Sequence, residues 1–337
     1  ALRFRFAPPA AGHGAGGNLT LTNNPDHSVG ADQLGIPMTI SSDPRHGVSG
    51  TEGISVLSAG FPKWPDAPGF AAIGDPTVTR TFAETVSREY RAVGITMALS
   101  PQADVATDPR WSRISGTFGE DFATVAKLAA AYVEGIQGKR DGLARSGVAA
   151  VVKHFAGYGA QRDGWDSHNF YGRYSIYPGK MLERHIAAFR PSLDAAAAGV
   201  MPTYSIIQSH GFEPVGGAFS RHLVTDILRK REHYSGLVLS DFGITENCTH
   251  SCIDGDTSGE MERFTANPGA WRTRVRKTAL SRRSMPALIK LEALRILLRS
   301  LPQPATAGSR CLGSMKPSPG SCSSSSNKAC SRSLMST

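Results

Sequence analysis

Val148-Ala149-Ala150-Val151-Val152-Lys153-His154 is an apolar, partly β-branched run that stops abruptly at two polar side chains. β-Branched residues suit a pleated strand. A strand apolar at every position, rather than at alternate ones, is covered on both faces, as in a parallel sheet. Four other short runs read the same way: Ile36–Ser42, Ile95–Ser100, Val200–Ile206 and Gly236–Ser240. Each leads into polar chemistry. Ser42 is followed by Asp43, Ser100 leads to Asp104, Met201 to Tyr204 and Leu239 to Asp241. Helical stretches lie between the runs. Thr77–Val93 contains neither Gly nor Pro, and Asp121–Ile136 is Ala-rich. Lys180–Ala198 ends at Gly199, read as a C-cap, and Ser220 to Lys230 opens on a Ser N-cap. Strands alternating with helices predict βα units on a parallel sheet.

Two parallel architectures compete, and the first loop separates them. A doubly wound nucleotide-binding sheet needs a Gly-rich phosphate turn after an early strand. Here that loop is Asp43-Pro44-Arg45-His46-Gly47, which is charged. In a (β/α)8 barrel the C-terminal strand ends form the working face. Five strands ending in polar groups are the trace such a face leaves. The expected fold is therefore α/β: a (β/α)8 TIM-type barrel over residues 35–250, incomplete because only five or six strands can be counted. An irregular Gly/Ala/Pro/Asn-rich segment, 1–34, precedes it, and a basic Ser-rich tail, 251–337, follows.

The charge distribution supports that division. The 337-residue chain carries 37 Lys+Arg against 28 Asp+Glu, a net +9. Residues 1–249 hold 23 of each sign, so the whole excess lies after them. All five cysteines (Cys248, Cys252, Cys311, Cys322 and Cys330) lie at or beyond the same boundary. From Arg263 onward Glu292 is the sole acidic residue. This stretch reads either as a disordered basic tail or as a segment translated out of frame. A nucleic-acid protein would carry its basic face on the folded domain, so no nucleic-acid partner is expected. No apolar run approaches the roughly 20 residues of a membrane helix. The start, Ala1-Leu2-Arg3-Phe4-Arg5-Phe6, has neither an initiator Met nor a signal-peptide core, and reads as the start of a fragment.

Three clusters carry candidate chemistry. Asp241, in Ser240-Asp241-Phe242-Gly243, closes a strand; a carboxylate there can serve as nucleophile or base, or simply as a turn Asp. Lys153-His154 is followed by Asp163 and by Asp166-Ser167-His168-Asn169. A buried Lys beside a buried His demands polar partners. Sugar hydroxyls supply them, and so does a structural ion pair. A metal at His154 and His168 would need further ligands at recognised spacing, so no metal and no cofactor are expected. The third cluster is Asp108-Pro109-Arg110-Trp111-Ser112-Arg113 with Gly119-Glu120-Asp121. Arg110 and Arg113 are candidates for binding hydroxyls or gripping the acidic pair. Trp111 is either a stacking platform or core. Glu120-Asp121 suits a helix N-terminus in any case.

In order along the chain, these motifs resemble the N-terminal barrel domain of glycoside hydrolase family 3, the β-glucosidase-like enzymes. The resemblance runs from about Leu34 to Asn247. It rests on Gly35-Ile36-Pro37 with Ser42-Asp43-Pro44-Arg45-His46-Gly47, on Glu89-Tyr90-Arg91-Ala92-Val93-Gly94-Ile95, on Asp108-Pro109-Arg110-Trp111 and on Gly119-Glu120-Asp121. Lys153-His154-Phe155, Met201-Pro202 with Tyr204, and Ser240-Asp241-Phe242-Gly243 complete the set.

The resemblance implies a retaining, exo-acting β-glucosidase that cleaves terminal β-D-glucosyl residues of glucosides or oligosaccharides. Asp241 matches the nucleophile that forms the covalent glycosyl-enzyme. Asp43, Arg113, Lys153 and His154 match the groups that hold the sugar hydroxyls. Met201 and Tyr204 match pocket lining, and Phe242 stands where many members carry Trp. Lys153 and Arg113 would help keep the nucleophile ionised. In most members the proton donor is a Glu on a second, α/β sandwich domain, and no such pattern follows residue 250. The chain is therefore expected to hydrolyse β-glucosides little or not at all. An N-acetylglucosaminidase branch instead uses an Asp-His pair, which Asp166 and His168 resemble; a structural or substrate-contact role for His168 is the favoured expectation. The rival from another class is a non-catalytic carbohydrate-binding remnant of the barrel. Family members are often periplasmic or secreted. Sugar and linkage specificity, and oligomeric state, are left open.

Overall fold

A computed structural model describes residues 39–47 and 61–244. The first strand's opening residues, the 1–34 segment and the 251–337 tail lie outside the described residues.

Five strands form one all-parallel sheet: β1 (Ser41–Ser42), β2 (Met97–Ala98), β3 (Ala149–Phe155), β5 (Gly199–Pro202) and β7 (Leu237–Val238), hydrogen-bonded in that order. The order follows the chain, as consecutive barrel strands require. A separate parallel pair joins β4 (Tyr174–Ile176) to β6 (Ile206–Gln208). Two long helices cover the sheet, α2 (Pro76–Ala92) and α3 (Phe122–Gln137), with the short α1 (Ala67–Ile73) ahead of them. Their ends are set by side chains. Asp75 accepts from the Thr77 amide and Asp121 from the Thr124 amide, each at 2.8 Å, so both helices start on Asp caps. Gly138, at φ 70°, ends α3. Inside α3, Gly135 lies against the Arg80 carbonyl of α2 so closely that any β-carbon there would collide. The two helices pack backbone to backbone at that point.

Alternation along the strands sorts two cores. Met97, Leu99, Ala149, Val151, Met201 and Leu237 form one buried cluster inside the curve of the sheet. Ala98, Ala150, Val152, Val200 and Val238 face the helices in the larger cluster. In β3 the inward face therefore reads Ala149, Val151, Lys153. The next inward position beyond the apolar layers is a lysine, at the strand's C-terminal end. The same period carries Leu237, Leu239 and Asp241 toward that end.

Two expectations needed correction. Lys180–Ala198 is not one helix but two short ones, α4 (Leu182–Ala187) and α5 (Arg190–Asp194). Pro191 has no N–H for the Ala187 carbonyl, which breaks the ladder. Gly199 opens β5 rather than capping a helix. Val200–Ile206 is likewise interrupted. The Thr203 hydroxyl accepts from the Ser205 amide at 3.1 Å, a local turn that separates β5 from β6. The later helix runs from His222 to Arg231 with π-type winding, and Ser220 Oγ accepts from the Leu223 amide at its start.

Candidate functional site

The polar side chains beyond the strand ends meet in pairs. After β1, Asp43 is pinned from both sides: its carbonyl accepts from the Tyr90 hydroxyl at 2.9 Å and from Ser42 Oγ at 2.8 Å. Its carboxylate takes Lys153 Nζ at 2.6 Å, with both side chains largely buried. One residue on, His154 is fully buried. Its Nδ1 lies 2.7 Å from Asp104 Oδ2, and its backbone N–H donates to Asp104 Oδ1 at 3.1 Å. Burial pushes the His154 imidazole below its usual range, although Asp104 pulls the other way. Burial works to raise Asp104, but the imidazole outweighs it and the carboxyl sits low. The pair therefore holds a carboxylate against a neutral ring protonated on Nδ1. This leaves Nε2 as an acceptor, 3.6 Å from Asp241 Oδ2 and too far for a hydrogen bond.

Asp241 follows β7. Its Oδ1 accepts from the Phe242 amide at 2.8 Å, which fixes the carboxyl rotamer. Tyr204 donates to the Phe242 carbonyl at 2.8 Å, and its buried hydroxyl lies beside the Asp241 carboxylate; burial first, then that negative charge, push it well above an ordinary phenol. Phe242 itself projects outward, 66% exposed. Met201 belongs to the inner apolar layer, paired with Lys153 across β3 and β5.

Arg113 is buried and donates to the Tyr158 hydroxyl at 3.2 Å. Burial alone would lower its pKa. The Tyr158 oxygen and the Asp166 and Asp241 carboxylates more than reverse this, so the guanidinium stays charged. Tyr158 passes the contact on. Its hydroxyl donates to Asp166 Oδ1 at 3.1 Å and lies 3.3 Å from His168 Nδ1. Its ring lies 4.6 Å from the His154 ring and edge-on to Trp111 at 5.3 Å. Asp166 Oδ1 is 2.5 Å from His168 Nδ1 and also accepts the His168 amide at 2.8 Å. Burial works to raise Asp166, but His168 and Arg113 hold its carboxyl well below the carboxylate range. His168 packs edge-on to Tyr204 at 4.8 Å, which closes the circuit to Asp241.

Asp43, Arg113, Lys153, His154, Tyr204 and Asp241 thus belong to one connected set at the C-terminal strand ends, joined by Asp166 and His168. Two residues of the third cluster do not join it. Arg110 forks onto its neighbour Asp108 (Nε 2.9 Å, Nη2 2.6 Å) and stays exposed, because that carboxylate is two residues away and needs no reorganisation to reach. Trp111 is buried core, packed with Tyr158, Tyr204 and Ile206, and offers no stacking face. His154 and His168 bind different carboxylates, and the described residues hold no group of three or more His, Cys, Asp or Glu arranged for a metal. Among the described residues no helix is long and apolar enough to cross a membrane. Two members were not anticipated. Asp104 was visible only as a polar residue beyond a strand end, and Tyr158 only as an aromatic in a Gly-rich turn.

Comparison with known proteins identifies the family. Over 235 residues the chain is 50% identical to a periplasmic β-glucosidase/β-xylosidase of Dickeya chrysanthemi, covering 68% of this chain and 36% of that protein. It is 43% identical over 212 residues to β-glucosidase C of Emericella nidulans, covering 63% of this chain and 34% of the relative. Among solved structures, a β-glucosidase from Erythrobacter marinus superposes with a TM-score of 0.54 at 32% identity, covering 62% of this chain and 26% of that one. The chain spans about a third of the length of these curated relatives. The model of the glycosyl hydrolase family 3 N-terminal domain matches residues 18–258, reaching past the motif-bearing stretch at both ends. The chain therefore belongs to glycoside hydrolase family 3, as its N-terminal, TIM-like α/β barrel domain.

Proposed function

We propose that this domain forms the sugar-binding and nucleophilic half of a retaining exo-β-glycosidase, acting on terminal β-D-glucosyl or closely related residues. The observation that carries the reading is Asp241. Its carboxylate sits beside a neutral imidazole acceptor, a buried guanidinium and a tyrosine hydroxyl, with the Asp43–Lys153 pair one residue from His154. In the reaction, an Asp241 oxygen attacks the anomeric carbon as the bond to the leaving oxygen breaks. Water then releases the sugar, with the same configuration retained. Lys153, Arg113 and Asp43 serve as hydroxyl ligands, and hydrogen bonds that tighten in the oxocarbenium-like state supply part of the rate. A second reading has its own support. The 2.5 Å Asp166–His168 contact fits a pair that delivers a proton to the leaving group, as in an N-acetylglucosaminidase-type mechanism.

The test is covalent trapping. A 2-fluoro-glucoside with a dinitrophenolate leaving group needs almost no protonation and forms a long-lived ester. Peptide mass spectrometry is expected to find the fluoroglucosyl mass on the peptide bearing Asp241, and to lose it in Asp241→Ala. Labelling at another carboxylate, or none at any, would reject the assignment.

A further inference from the structure

Asp104 takes no part in the attack or the hydroxyl binding proposed above, yet it is fully buried against a residue that does. A buried carboxylate is costly unless donors meet it. Three do. His154 Nδ1 lies 2.7 Å from Oδ2, the His154 amide donates to Oδ1 at 3.1 Å, and Gln102 Nε2 donates to Oδ2 at 3.1 Å. The backbone fixes the same geometry. The Lys153 amide donates to the Pro101 carbonyl at 3.0 Å, and the Ala103 amide to the Lys153 carbonyl at 2.8 Å. The strand that ends in Lys153 and His154 is thereby laced to the loop on which Asp104 stands. Gly116 closes on Gln102 from the other side: a β-carbon there would collide with the Gln102 side-chain amide. Asp104 is thus held in one orientation against one edge of the imidazole.

Two carboxylates compete for the ring's proton. Asp104 Oδ2 is within hydrogen-bond distance of Nδ1, whereas Asp241 Oδ2 is 3.6 Å from Nε2 and outside it. The ring holds one proton rather than two. Burial, aided by the Arg113 charge, outweighs the pull of Asp104 and keeps it neutral. We infer that Asp104 is a positioning residue that sets the polarity of His154. It keeps the proton on Nδ1, so that Nε2 can only accept, and the sugar must present a hydroxyl hydrogen at that point. Gln102 serves the same end by holding the Asp104 carboxylate in place. The inference rests on the glycosidase reading above. It adds a rule of specificity: at the carbon facing His154, a group that only accepts hydrogen bonds is rejected.

Nitrogen NMR of the histidine rings reads the tautomer without sugar or turnover. In the full chain, His154 is expected to carry its proton on Nδ1 alone. In Asp104→Asn the one remaining oxygen goes to the His154 amide, which cannot change sides. The new NH2 group then faces Nδ1, and the ring proton moves to Nε2. Calorimetry reads the consequence. Glucose, and analogues in which each hydroxyl in turn is replaced by fluorine, are titrated against both proteins. Fluorine keeps an acceptor and removes the hydrogen. The full chain is expected to lose about tenfold in affinity wherever the replaced hydroxyl donates to Nε2 or to Asp43. In Asp104→Asn the loss should vanish at one of these positions and persist at the others, whereas a merely structural defect would weaken every sugar alike. If the variant does not fold, the tautomer of the unaltered chain decides. A proton on Nε2, or on both nitrogens, would overturn the inference. So would a fluorine profile that is the same in both proteins, although the sugar site would stand. If neither glucose nor any analogue binds, the glycosidase reading falls and the inference with it.

Discussion

The hydroxyl of Tyr158 is the point where the two halves of the site touch. One oxygen accepts from Arg113, donates to Asp166 and lies against His168 Nδ1, all without access to water. Removing it leaves a buried guanidinium N–H and a carboxylate oxygen short of a partner, a loss on the order of 1–3 kcal/mol. Tyr158→Phe is therefore expected to lower unfolding free energy by about 2 kcal/mol in urea denaturation and to weaken glucose binding, since Arg113 loses its brace. A variant as stable as the parent would mean that Arg113 is oriented by other groups. Local sequence explains why this tyrosine escaped notice while Lys153 and His154 did not. Charged side chains at the end of an apolar run advertise a cost that something must offset. An aromatic in a Gly-rich turn advertises nothing, because aromatics are ordinary core residues. For Trp111 the sequence left platform and core open, and its burial decides for core. The same logic misread Arg110, which takes the nearest carboxylate.

Among the elements, the long helices were legible to within a residue or so, because Thr77–Val93 lacks Gly and Pro and the Ala-rich stretch from Asp121 follows an acidic opening; the structure adds the Asp75 and Asp121 caps. The helix after β4 was not. Helical periodicity persisted through Pro191, and only the missing N–H divides α4 from α5. Helix α4 also carries a testable titration. His185 is buried against Phe122 and Tyr177, with ring centres 5.1 and 5.5 Å away. Burial is the main cause that brings its pKa down to about 4, although Asp104 acts in the opposite sense. The folded pKa lies below that of the unfolded chain, near 6.5. The unfolded state therefore takes up the extra proton as pH falls. The stability tied to neutral His185 is complete above about pH 6.5 and is lost progressively as pH drops toward 4, by up to about 3 kcal/mol. His185→Leu is expected to flatten the fall in melting temperature across that interval. An unchanged slope would assign the acid sensitivity to other groups.

For the molecule as a whole, pattern was enough to choose between parallel architectures. The charged first loop excluded a phosphate turn, and the polar strand ends pointed to a barrel mouth. The five-stranded parallel sheet in chain order and the family membership agree with that choice. What pattern did not supply was pairing across the mouth. Asp43 and Lys153 are 110 residues apart, and His154 and Asp104 are 50 apart. Sequence spacing at such separations carries no distance information; only the shared strand-end position brings those residues together. The central claim is that these strand-end groups enclose one pyranose. A crystal structure of the protein soaked in concentrated glucose tests it most directly. The account predicts a single sugar hydrogen-bonded to Asp43, Lys153, His154 and Arg113, with its anomeric carbon facing the Asp241 carboxylate. An empty mouth at saturating glucose, or a sugar bound elsewhere while Asp241 faces solvent, would contradict it.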